Sequence, residues 1–101
     1  MKKLVVLGFV GFSMAGVAVA EQNSCNFSRY KVCAESATVD LSGDCDPSRG
    51  GVIGTACETA NRTGSCVITE GSDTVFVRYY PGFPVNAEKN CKENKGTYVP
   101  N

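Results

Sequence analysis

The chain has 101 residues, with ten basic and ten acidic side chains, six cysteines and no histidine or tryptophan. The lack of histidine removes the commonest general base and metal ligand. Balanced charge without a basic stripe excludes nucleic acid as a partner, because phosphate binding needs clustered Lys or Arg.

The chain opens with Met1-Lys2-Lys3, runs apolar through residues 4–20, and turns polar at Glu21-Gln22-Asn23-Ser24. A basic start, an apolar middle and the small-residue pattern Ala18-x-Ala20 form a secretory leader, with the cut expected after Ala20. An uncleaved anchor would sit at the lower limit of the ~17–25 apolar residues a bilayer requires. Three glycines and no basic residue on the far side favour the cleaved form, with no membrane attachment afterwards. The mature domain is then 21–101. Loss of Lys2 and Lys3 leaves eight basic against ten acidic residues, a net charge near −2.

All six cysteines, Cys25, Cys33, Cys45, Cys57, Cys66 and Cys91, lie in the mature part. An even number in a short exported chain reads as a disulfide framework. A chain of this size buries only ~60% of its unfolded surface, so crosslinks worth ~2–4 kcal/mol each decide whether it folds. Consecutive cysteines are separated by 7, 11, 11, 8 and 24 residues, which contains no C-x-x-C redox pair and no zinc knuckle. No metal or cofactor is expected. Spacing leaves the pairing open among 15 arrangements.

In chain order, residues 30–34 read as a strand carrying Cys33, and residues 40–45 as an abbreviated helix. Asp40, Asp44 and Asp46 offer oxygens near Cys45, but their order is not that of a calcium loop, and the segment reads as a polar turn. Residues 63–69 and 74–80 read as strands rich in β-branched and aromatic residues. A Gly71-Ser72 loop sets Glu70 opposite Asp73, Ile68 opposite Val75 and Cys66 opposite Val77. Alternation then places Cys66, Ile68, Val75, Val77 and Tyr79 on one face, and Val67, Thr69, Thr74, Phe76, Arg78 and Tyr80 on the other. Residues 84–94 read as a helix, with Pro84 in its first turn and Gly96 as a left-handed cap. Ala87 and Cys91, four apart, share its inner face. A last strand is expected at 96–99.

These elements predict a small disulfide-rich α+β domain: a β-hairpin (63–80) packed on a short helix (84–94). The halves 25–56 and 57–101 echo one another as two degenerate repeats. Each reads as a cysteine, a strand cysteine, a helix cysteine and a glycine turn: Cys25, Cys33, Cys45, Gly50-Gly51, then Cys57, Cys66, Cys91, Lys95-Gly96. With three cysteines per half, at least one bridge must join them.

Cys57, Gly64-Ser65-Cys66, Tyr79-Tyr80, Cys91 and Lys95-Gly96-Thr97-Tyr98 follow one another over about 45 residues. This run resembles a unit of small exported bacterial cysteine-rich proteins of unassigned activity. The unit runs cysteine, Gly-Ser/Thr-Cys, paired tyrosine, helical cysteine, glycine turn, aromatic. The resemblance implies export and a cysteine scaffold, and no catalytic residue.

Without a catalytic constellation, the expected function is a non-enzymatic binding or structural module, periplasmic or secreted, with a protein or glycan partner. Phe76, Arg78 and Tyr80 form the candidate binding face, since Tyr and Arg are enriched at binding hot spots. The alternative is a protease inhibitor or toxin-like effector presenting Arg62 and Thr63 in a disulfide-braced loop, which is rigid before binding. Asn26-Phe27-Ser28 and Asn61-Arg62-Thr63 match the glycosylation acceptor, but the leader resembles a bacterial one and no modification is expected.

Overall fold

Alternation along 63–80 is the clearest strand signal of the mature sequence, and the folded chain adds strands to it. The computed structural model describes residues 22–101, so the leader and its cut lie outside the described residues. The strands are β1 (Asn23–Phe27), β2 (Val32–Ser36), β3 (Gly51–Gly54), β4 (Gly64–Glu70), β5 (Asp73–Tyr79) and, after helix α1 (Ala87–Glu93), β6 (Thr97–Pro100). They form one antiparallel sheet in the order β3-β1-β2-β5-β4-β6.

The β4–β5 hairpin has the expected register, with Glu70, Ile68 and Cys66 opposite Asp73, Val75 and Val77. Gly71 has a φ of 62°, the left-handed conformation that this two-residue turn needs at its first central position. The hairpin is only one third of the sheet. β1 (Asn-Ser-Cys-Asn-Phe) brings only two apolar side chains, Cys25 and Phe27, inward, and β3 is Gly-Val-Ile-Gly. Neither carries much strand propensity, and both take their conformation from pairing with neighbours. The strand expected at 30–34 begins at Val32, because residues 28–30 form a 3-10 turn that closes on Lys31 at φ 60°.

One face of the sheet carries the core. Cys25, Phe27, Val32, Ala34, Cys66, Val75, Val77 and Tyr79 pack there with Val39, Leu41, Cys45 and Cys91, while Ile68, Phe83, Ala87 and Tyr98 close its margin. Polar groups at that margin are all engaged. The Asn23 side chain donates to the carbonyls of Ser36 and Val39 (3.0 and 2.9 Å) and accepts from Leu41 N–H (2.8 Å), which pins the 37–41 crossover onto β1. The Tyr79 hydroxyl donates to Asn90 Oδ1 at 3.1 Å, and its ring meets Phe83 edge-on at 4.8 Å.

The helix is shorter than expected. Asn86 caps it by accepting from Lys89 N–H at 2.8 Å, which leaves Pro84 and Val85 outside. The left-handed residue after it is Lys95 (φ 64°) rather than Gly96. Gly96 is required for a different reason: a Cβ there would collide with Cys66 Sγ, and it would crowd Cys91 Sγ. The 40–45 segment holds only a 3-10 turn, Ser42–Asp44.

The bridges are Cys25–Cys45, Cys33–Cys57 and Cys66–Cys91, spanning 20, 24 and 25 residues. The second joins the halves 25–56 and 57–101, as the odd count required. The cysteine-by-cysteine echo does not extend to the pairing, since Cys25 bonds Cys45 while its counterpart Cys57 does not bond Cys91. Two bridges have equivalent settings all the same. Cys25 in β1 and Cys66 in β4 each tie the first strand of a hairpin to the segment that leads into the flanking strand, β3 or β6.

Each loop of this length contributes about 3–4 kcal/mol by restricting the unfolded chain. Full reduction therefore abolishes the cooperative thermal transition, and an unchanged melting temperature in reductant would refute that. Gly96→Ala costs at least about 2 kcal/mol by overpacking the Cys66–Cys91 sulfurs. Gly43→Ala, where the added methyl meets nothing, stays within about 0.5 kcal/mol in the same denaturation series.

Candidate functional site

The second face of the sheet holds most of the chain's interior polar chemistry. Antiparallel pairing places Cys33 and Ser65 on either side of Arg78, and Glu35 and Val67 on either side of Phe76. Alternation turns these side chains away from the apolar core. The 55–63 segment has no regular strand or helix, and the Cys33–Cys57 bridge binds it over this face.

Glu35 is the hub. Its side chain is only 7% exposed and takes Arg78 Nε at 2.6 Å on Oε2, with Arg62 Nη2 at 3.8 Å. Oε1 accepts from Cys57 N–H at 2.8 Å and from the Gln22 amide at 3.3 Å. Burial is the largest single influence on this carboxyl and pushes its pKa up. The Cys57 N–H, the Arg78 hydrogen bond and the charges of Arg78 and Arg62 together outweigh burial and hold it below the ordinary glutamate value. Arg78 also donates to Ser65 Oγ at 2.9 Å and lies over the Phe76 ring, 4.5 Å from its centroid.

Arg62 is folded inward. Its side chain is 12% exposed, and its guanidinium donates to the carbonyls of Glu58 (2.8 and 3.2 Å) and Cys57 (3.4 Å) besides facing Glu35. Thr63 is tied to the Tyr79 carbonyl through its N–H at 2.8 Å and its hydroxyl at 3.2 Å. The Arg62-Thr63 segment thus locks the 55–63 loop onto the sheet. Presenting Arg62 to a protease would require breaking those contacts.

Phe76, Arg78 and Tyr80 do share one face, each half-buried. They are unequal, because Arg78 is engaged by Glu35, Ser65 and Phe76. Tyr80 donates its hydroxyl to the Glu58 carbonyl at 2.6 Å and lines a cleft of about 280 Å³ together with Asn26, Ser28, Lys31, Val32 and Glu58. Around one aromatic ring the cleft offers an ammonium, a carboxylate, an amide and a hydroxyl. That set suits a polar ligand group with both donors and acceptors.

Ser65 meets Arg78, a donor with no basic lone pair, so the pair cannot deprotonate the hydroxyl. Asp40 and Asp46 each use a carboxylate oxygen to accept the N–H two residues on (Ser42, 3.0 Å; Ser48, 2.9 Å), the pattern of a polar turn. Among the described residues, no three acidic or cysteine side chains gather at metal-binding distance, and no helix is long and apolar enough to cross a membrane.

Glu35 is the residue that sequence reasoning missed. Its only signal was an acid within the run Val32-Cys33-Ala34-Glu35, at the parity opposite Val32 and Ala34. That signal acquires meaning only when β2 is known to lie beside β5.

Comparison with known protein families, with curated proteins and with solved structures found no match.

Glu35→Gln removes a charge on which two arginines converge and destabilises the oxidised domain by about 2 kcal/mol at neutral pH. Because the folded carboxyl titrates below its unfolded value of 4.5, the wild-type advantage is complete above that pH. It fades as pH falls through the folded value. Denaturant midpoints of both proteins across the acid range check this, and a difference that grows on acidification would contradict it.

Proposed function

We propose that the chain, once residues 1–20 are removed, is a non-enzymatic binding module that works in the bacterial periplasm or outside the cell. It takes a protein or glycan partner on the second face of its sheet. The observation that carries this reading is the cleft of Asn26, Ser28, Lys31, Val32, Glu58 and Tyr80, whose walls are held before any ligand arrives. Tyr80 is tied to the Glu58 carbonyl, and the Glu58 segment is tied to the sheet by Cys33–Cys57 and by Arg62 on Glu35. A prefixed polar cleft loses little ordering entropy on binding. Three disulfides indicate an oxidising compartment. The resemblance to small exported cysteine-rich proteins points the same way. Within the face first expected to bind, Phe76 and Tyr80 are the contacting groups, and Arg78 is the brace beneath them.

We further propose that the two halves are copies of one unit, aligned not cysteine by cysteine along the chain but on the bridges, with Cys25 matched to Cys66, Cys45 to Cys91 and Gly51 to Gly96. Support comes from the sheet order, in which β3-β1-β2 is mirrored by β6-β4-β5. A left-handed residue, Gly50 or Lys95, also precedes each matched glycine. On that alignment Lys95 occupies the seat of a glycine. Lys95→Gly then leaves stability unchanged or raises it by up to about 1 kcal/mol, and a clear loss in chemical denaturation would argue against the equivalence.

The functional reading is tested with the oxidised domain starting at Glu21, immobilised and exposed to native envelope extract and to a glycan panel. Tyr80→Phe combined with Lys31→Glu is expected to weaken saturable binding at least about ten-fold, with the melting temperature retained. Saturable binding that ignores both substitutions, or none at all, would overturn it.

A further inference from the structure

The sheet is open, so it ends in two strands whose outer backbone groups are unpaired within the described residues, β3 and β6. An unpaired strand edge is a template for another strand, and proteins blunt it with charge, proline or cover. The two edges differ in this respect. In β6, Asn101 N–H bonds the Thr63 carbonyl at 3.3 Å, so alternate residues from 97 turn toward β4, and Tyr98 and Pro100 turn outward. Pro100 has no N–H, which leaves Tyr98 as the sole outward donor of that strand.

β3 carries no such guard. It reads Gly51-Val52-Ile53-Gly54 and contains neither a charge nor a proline. Val52 and Ile53 are 63% and 50% exposed, on opposite faces of the strand, and are two of the four large apolar residues left exposed in the described chain. The strand is also rigidly backed. β3 follows a turn in which Gly51 N–H bonds the Asp46 carbonyl at 3.0 Å. Gly51 is packed so closely against Cys45 Sγ and the Asp46 carbonyl that a Cβ would not fit. The Cys25–Cys45 bridge fixes that turn to β1. Little ordering is therefore lost when a partner strand pairs with it.

We propose that β3 pairs antiparallel with β3 of a second copy of this chain, about a two-fold axis perpendicular to the sheet. The axis keeps like faces on one side, so residues that pair must have the same parity. Two registers satisfy this. Centred on Val52, each Ile53 lies opposite a glycine, Gly51 of the other copy. Centred on Ile53, each Val52 lies opposite Gly54. In both, the flanking bulky side chain meets a glycine, the central residue meets its own copy (Val52 with Val52, or Ile53 with Ile53), a β-branched pair that antiparallel strands accommodate, and identical edges meet without like charges. Because Pro100 guards the other edge, the pairing closes at a dimer instead of growing into a filament. The product is one continuous sheet with the two clefts on the same side.

An edge of four residues makes a weak, concentration-dependent dimer. Sedimentation velocity of the oxidised chain from Glu21 to Asn101, from micromolar concentrations to about 1 mM, is expected to show monomer–dimer exchange. Val52→Lys and Ile53→Lys each raise the dissociation constant at least about ten-fold. Both sites are exposed, so the melting temperature stays constant, while Val99→Lys, on β6, leaves the dimer intact. Amide exchange offers a second readout in the unsubstituted chain: alternate β3 amides gain protection as concentration rises and those of β6 do not. A chain that remains monomeric throughout would overturn the proposal. So would a dimer that Val99→Lys disrupts but the β3 substitutions do not, or concentration-dependent protection confined to β6.

Discussion

Where β2 runs beside β5, Ala34 lies opposite Val77, and the neighbouring pairs bring Cys33 against Arg78 and Glu35 against Phe76. This seam is where the two hairpins join into one sheet. Its inner side is apolar and merges the β1–β2 and β4–β5 halves into one core. Its outer side carries the Glu35–Arg78 pair at 2.6 Å and the cysteine that anchors the 55–63 loop. Separating the hairpins would expose the shared core and leave a shielded carboxylate without its partner, two costs that reinforce one another.

The disulfides divide their work around that seam. Cys25–Cys45 and Cys66–Cys91 each hold a crossover against the first strand of its own hairpin, and Cys33–Cys57 carries the chain from one half to the other. The sulfurs are also part of the packing. Gly96 is held to glycine because the Cys66–Cys91 sulfurs occupy the space a side chain would need, and Gly51 because the Asp46 carbonyl and Cys45, its sulfur included, crowd that position. In a domain this small, a crosslink that also fills volume replaces part of the apolar interior that the chain cannot supply.

On the outer face the two arginines are bracing groups, and Tyr80 edges the cleft. Arginine is the common anchor of binding surfaces, yet here Arg62 and Arg78 point into the protein and neutralise Glu35. Tyr80 instead lines the cleft with Asn26, Ser28, Lys31, Val32 and Glu58. Closing the outer face with a loop requires buried charges to be matched, and the matched charges in turn hold the cleft wall in place.

The β4–β5 hairpin, its register and its inward face were legible in the sequence because all three depend on local rules. A two-residue turn sets the pairing, and strict alternation sets the faces. The cysteines likewise announced a crosslinked domain through number and spacing, and a helix was expected at 84–94 from Pro84 and Gly96, although the structure starts it at Ala87 behind an Asn86 cap. Strands β1 and β3, the cysteine partners and the role of Glu35 were not legible. Each is defined by a residue far away in the chain: Asn26 by Val52 and Cys33, Cys33 by Cys57, Glu35 by Arg78 and Arg62. Pairings of that kind are chosen by which strands become neighbours. Only the folded sheet makes that choice, because it is the arrangement that buries the apolar faces together while leaving every enclosed charge a partner.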